Sequence, residues 1–138
     1  MNTQLLDTMR QSKIDKFISD YCHMNGITLL IDPQLGKNDG LCYPSCKEIH
    51  LAAKYTSSKL KIVVFCHEMG HIICEKSKHQ PYNIFEGEYL AWGEGMKLYK
   101  KHFGKSFSKT QAEFMLKCMK TYCRSQYEFK RTKSEKSE

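Results

Sequence analysis

A chain of 138 residues, 41% hydrophobic and 27% charged, has the size and balance of one globular domain with its own core, which excludes a disordered polymer. No apolar run approaches the roughly 20 residues of a membrane-spanning helix, so a helical membrane protein is excluded as well. The net charge of +7 admits nucleic acid or an acidic partner. The lysines are spread along the chain, however, and their denser groups at 97–105 and 130–136 carry no stacking or groove-reading motif, so a solvated basic surface is expected.

In chain order, residues 5–25 read as an amphipathic helix with Ile14, Phe17, Ile18 and Tyr21 as its apolar stripe and Gly26 as its end. A short strand is predicted over 27–31, stopped by Asp32-Pro33. A turn at 36–40, a second strand near 41–43 and a third over 47–52 follow, the third expected at the sheet edge. A helix is predicted over 57–76, capped by Ser57 or Ser58. The next helix covers 84–102, with Gly104 as its stop. Ser108 and Gln111 have capping-box spacing and open a last helix over 109–127, with Ala112, Met115, Met119 and Tyr122 inward. The fold class is α+β: a small, mostly antiparallel sheet packed on a helical bundle. Residues 1–127 form the single domain, and 128–138 are a charged tail expected to be disordered.

The helix over 57–76 carries His67-Glu68-Met69-Gly70-His71, an H-E-x-x-H motif. Histidines four apart share one helical face, so both imidazoles can reach one metal ion, and the intervening glutamate lies where it can take a proton from water. The flanking sequence, Leu60 to Cys74, is apolar on most sides, which predicts a buried central helix. Burying Glu68 and two histidines is costly unless they are paired or bound to metal. Gly70, costly within a helix, fits a place where another backbone or a ligand passes close by, with a simple packing glycine as the plainer alternative.

A catalytic zinc site needs a third protein ligand and keeps one position open. Glu88 lies one helical turn before Ala91, which suits a second helix packed tightly on the first, with the carboxylate reaching across. Glu86 is the rival ligand, with a first-turn charge as its ordinary role, and Glu94 is a weaker one.

The H-E-M-G-H at 67–71 followed by E-x-x-A at 88–91 resembles the ImmA/IrrE-type zinc metallopeptidases, a group common in phages and mobile elements. The likeness spans residues 14 to 103, and its specific parts are the two motifs. The resemblance implies a minimal zincin-like fold, Zn2+ held by His67, His71 and Glu88, and Glu68 as the general base. The substrate is then a protein or peptide, and the edge expected at 47–52 would receive it as an added strand. The chain departs from the family at Trp92, where members often carry Asn. Candidate oxyanion donors are Tyr82, Tyr89, His79 and His50.

The competing expectations are a non-catalytic zinc-containing protein that binds and blocks a host factor, and a basic nucleic-acid-associated protein with a structural metal. The amino terminus has no basic flank followed by an apolar core, which predicts no signal peptide and a cytoplasmic location, the host's if the protein is phage-encoded. Seven cysteines, an odd number, argue against a disulfide framework. Cys42 with Cys46, and Cys118 with Cys123, are candidates for a second metal site, with free thiols as the simpler expectation.

Overall fold

In the computed structural model the chain is described over residues 3–77, 81 and 83–136, and the side chains of 3, 4, 7 and 123–136 lie outside that description. Among these residues the order is α1 (Thr3–Met24), β1 (Thr28–Asp32), β2 (Gly40–Tyr43), a 3-10 turn (Pro44–Cys46), β3 (Glu48–Ala52), α2 (Ser58–Glu75), α3 (Ile84–Phe103) and α4 (Lys109–Lys136). The class is α+β, as expected.

Local chemistry explains most of the boundaries. The Ser57 hydroxyl accepts from the Leu60 amide at 3.3 Å and caps α2. Asn83 does the same for α3, accepting from the Glu86 amide at 2.8 Å. Gly104 closes α3 in the left-handed region at φ +71°. Ser108 and Gln111 form the reciprocal capping box, with Ser108 N donating to Gln111 Oε1 at 2.8 Å and Gln111 N to Ser108 Oγ at 3.3 Å. The last helix runs to Lys136 rather than to 127, through most of the segment expected as a disordered tail. No glycine or proline follows Gly104, so no residue there breaks the helix.

Two expectations about the sheet are corrected. Its order is β1-β3-β2, so β3 is the central strand and not an edge. It is mixed and not mostly antiparallel: β1 runs parallel to β3, with Leu29 opposite Ile49, and β2 runs antiparallel to it, with Leu41 opposite His50. The connection from β1 crosses the sheet to β2 and leaves the gap that β3 fills. Both hydrogen-bonding edges of β3 are therefore taken, and no peptide can add there. Alternation along β3 sends Ile49 and Leu51, both fully buried, into the core, and Glu48 and His50 to the outer face.

α2 is the centre of the molecule. Residues 62–70 are all buried along it. On one side it meets the sheet and α1, where Phe17 and Tyr21 present their rings edge-on to Phe65 at 6.5 and 6.0 Å between centroids. On the other side it meets α3. The stripe expected on α1 is present: Ile18 is fully buried, and Ile14, Phe17 and Tyr21 pack partly buried against the core. No helix among the described residues is long and apolar enough to cross a membrane.

Candidate metal centre

The contact between α2 and α3 builds the site. A Cβ on Gly70 would run into the Ala91 carbonyl, and one on Gly95 would lie 2.7 Å from the Cys66 carbonyl oxygen. The two glycines thus mark an antiparallel crossing in which each backbone rests on the other. Ala91 is fully buried in it. This close approach brings the first turns of α3 level with the motif on α2.

At that level the sequence-predicted residues meet. Glu88 Oε2 lies 2.7 Å from His67 Nε2 and 3.1 Å from His71 Nε2. Two imidazole nitrogens and one carboxylate oxygen therefore converge on a single point, an arrangement that one cation satisfies. Ligand-type atoms of His67, Glu68 and His71 also lie within 4.8 Å of one another, so Glu68 is a rival by proximity. Direction separates the two acids. Glu88 approaches the Nε2 side of both rings, whereas Glu68 Oε1 lies 3.6 Å from His67 Nδ1, on the ring's other side and beyond hydrogen-bond distance. Glu86 is placed in the first turn of α3, with its amide held by Asn83.

Electrostatics distinguish the acids as well. Burial acts to raise the Glu88 carboxyl, but the hydrogen bonds from His67 and His71 outweigh it and bring the pKa down to about 2. Glu68 is shifted the other way: burial raises it, the two imidazoles pull it back, and the Glu88 charge adds to the rise. Glu68 is 6% exposed, and its Oε2 is buried with no hydrogen-bond partner. A buried carboxylate oxygen left unpaired costs about 1–3 kcal/mol or more. An orphaned oxygen beside a converging His-His-Glu set fits a site shaped for a metal and a water. His71 is the most open member, its side chain 24% exposed. It borders two adjoining cavities of about 310 and 430 Å³ that share Pro81 and Gly87 as walls.

No family model, curated protein or solved structure matches this chain.

The site has neighbours that the sequence did not point to. Trp92 stacks flat on His67, with centroids 4.1 Å apart and planes 7° off parallel, and its indole nitrogen is buried without a partner. Tyr122 of α4, expected only as an inward-facing residue, lies within electrostatic reach of the Glu88 carboxylate, whose charge helps to raise the phenol. A phenol at a helical-stripe position reads as core, so no sequence signal marked that proximity. Gly40 of β2 lies close to Glu68, where an added Cβ would be 3.1 Å from Glu68 Cγ.

Other expected participants lie elsewhere. His50 is on the outer face of the sheet, with Nε2 2.7 Å from Glu48 and Nδ1 3.4 Å from Asp32. Tyr89 is 61% exposed on α3. His79, Tyr82 and the Cys123 side chain lie outside the described residues. Among the described residues, His67, Glu68 and His71 form the one cluster of three or more metal-type side chains, and it contains no cysteine. Cys42, Cys46 and Cys118 are free thiols, and burial pushes Cys42 up to about 12, with the Glu68 charge adding to it.

Proposed function

We propose that this protein is a zinc-dependent peptidase with a minimal zincin-like site of the ImmA/IrrE type, in which His67, His71 and Glu88 hold the metal and Glu68 is the general base. The observation that carries this reading is the convergence of both Nε2 atoms on Glu88 Oε2 beside the orphaned oxygen of buried Glu68. His67, His71 and Glu88 would hold the zinc, which when bound would acidify a water to a pKa of about 7 and polarise a carbonyl.

The chain's own residues supply the rest. Glu68 takes the proton of the attacking water and returns it to the leaving amine. Its buried position beside the two imidazoles places it where it can carry that proton. The two cavities beside His71 admit substrate. β2 is an edge strand that passes Glu68 at Gly40, so an extended peptide pairs with β2, aligned for attack.

The test combines metal analysis with a proteomic cleavage screen. Wild-type protein is expected to contain one zinc per chain and to cleave a protein substrate. Glu68→Gln is expected to keep the zinc and lose cleavage, while His67→Ala and Glu88→Ala lose the zinc. Absence of stoichiometric metal binding would sink the proposal at its first step. Full biological activity in Glu68→Gln would instead identify a metal-containing binding protein.

A further inference from the structure

Trp92 lies where the α2–α3 crossing is tightest. It follows Ala91, whose carbonyl abuts Gly70, and comes before Gly95, which abuts the Cys66 carbonyl. Both backbones are therefore fixed on either side of the pair, and the indole is laid on His67 with ring centroids 4.1 Å apart and planes 7° off parallel. Trp92 is 3% exposed, so the stack is made away from solvent. The indole N–H is buried with no acceptor, a cost that phenylalanine or leucine would avoid. Filling the core gives no reason to bear it.

Resting on the metal-site proposal above, we propose that Trp92 is a positioning residue for the metal: its indole fixes the plane of the His67 imidazole so that Nε2 faces the point shared with His71 and Glu88. The last torsion of a histidine side chain is soft, so the backbone of α2 sets where the ring starts but not how it is turned. A ligating histidine is usually held by a hydrogen bond at its other ring nitrogen. Here that nitrogen, Nδ1, lies 3.6 Å from Glu68 Oε1, outside hydrogen-bond distance. The flat indole supplies the constraint instead. It also favours the loaded state, because a bound cation leaves the imidazole electron-poor, and an electron-poor ring is attracted to the indole face. Groups that orient a ligand are worth about 10–100-fold in metal affinity.

Metal-free full-length wild type, Trp92→Leu, Trp92→Phe and Ile18→Ala are titrated with Zn2+ against a chelator and with Co2+, following the visible cobalt spectrum. Ile18 is a fully buried residue of α1, on the side of α2 away from α3, and its variant shows what loss of core packing does by itself. The expected result is one metal per chain in all four. Trp92→Leu should bind about 10–100-fold more weakly than wild type, with an altered cobalt spectrum. Trp92→Phe, which keeps an aromatic face, should lose a smaller factor, about 2–5-fold. Ile18→Ala should melt lower but bind metal like wild type. Wild-type affinity and spectrum in Trp92→Leu overturn the role of Trp92 while leaving the metal site standing. If Trp92→Leu does not fold, wild-type affinity in Trp92→Phe overturns it in the same way. An equal loss of affinity in Ile18→Ala and Trp92→Leu shows that affinity merely follows stability, and the inference fails. No metal in wild type overturns both proposals.

Discussion

Glu88, His71 and Glu68 give the metal-free protein a characteristic response to pH. Glu88 is depressed from 4.5 to about 2, so its contribution to stability is present above about pH 4.5 and is lost as pH falls toward 2. His71 moves the other way. Burial alone lowers it, but the Glu88 hydrogen bond and the charges of Glu88 and Glu68 raise it above 6.5. Its contribution is full below pH 6.5 and is lost as pH rises through the folded value. Glu68, raised mainly by burial, also favours the fold at lower pH. On the outer face, the Glu48 hydrogen bond raises His50, and it acts in the same direction. Metal-free protein should therefore melt highest between about pH 4.5 and 6.5, with losses on both sides. In Glu88→Gln the acid-side loss should shrink, and Glu68→Gln should be more stable than wild type at about pH 8 because it removes a buried charge. Thermal melts at about pH 3, 5.5 and 8 read all three effects. A wild-type optimum at about pH 8 would contradict the pairing of Glu88 with His71.

At the scale of elements, the α2–α3 crossing decides whether the three ligand-type residues meet. Gly70→Ala places a methyl against the Ala91 carbonyl, where backbone and not a yielding side chain must move. Overpacking of this kind costs about 1–3 kcal/mol, which exceeds the roughly 1 kcal/mol that alanine gains over glycine within a helix. Gly95→Ala meets the Cys66 carbonyl and should behave in the same way. Gly93→Ala is the contrast. It lies on the same helix, and an added Cβ there has nothing within 4 Å, so the substitution should stabilise by up to about 1 kcal/mol. Urea unfolding of the metal-free variants measures the three, and loss of metal affinity in Gly70→Ala alone of the 70/93 pair would tie the close crossing to the site.

At the scale of the whole molecule, one buried amide joins three helices. Gln111 is 1% exposed. Its Nε2 donates to the Lys59 carbonyl at the start of α2 at 3.1 Å and to the Tyr99 hydroxyl on α3 at 3.4 Å, while its Oε1 holds the Ser108 amide at 2.8 Å. These bonds anchor the first turn of α4, which fixes the direction in which the helix carries Cys118 and Tyr122 past the site. Gln111→Leu fills similar space but removes the acceptor of the Ser108 amide and the side-chain amide's bonds to the Lys59 carbonyl and the Tyr99 hydroxyl. It should cost about 1–3 kcal/mol in global stability. Limited proteolysis should also cut earlier within α4, and unchanged cleavage there would show that α4 is held by its apolar contacts alone.

Much of this was legible in the sequence because helical spacing is set by covalent geometry. The four-position step from His67 to His71, the three-position step from Glu88 to Ala91, and the Ser108–Gln111 capping box each specify a relation within about one turn of chain. The buried character of α2 followed from its apolar run, and the need for a close partner followed from Gly70. Relations between elements were not legible. The alternation of β3 shows that one of its faces is buried, but a central and an edge strand alternate alike, and the crossing connection that makes β3 central is a matter of topology. Glu88 over Glu86 was favoured by face geometry, and the antiparallel crossing at Gly70 and Gly95 brings Glu88 to both imidazoles. The stacking of Trp92 on His67 belongs to the tertiary structure alone, because residues 25 positions apart meet only through the packing of separate helices.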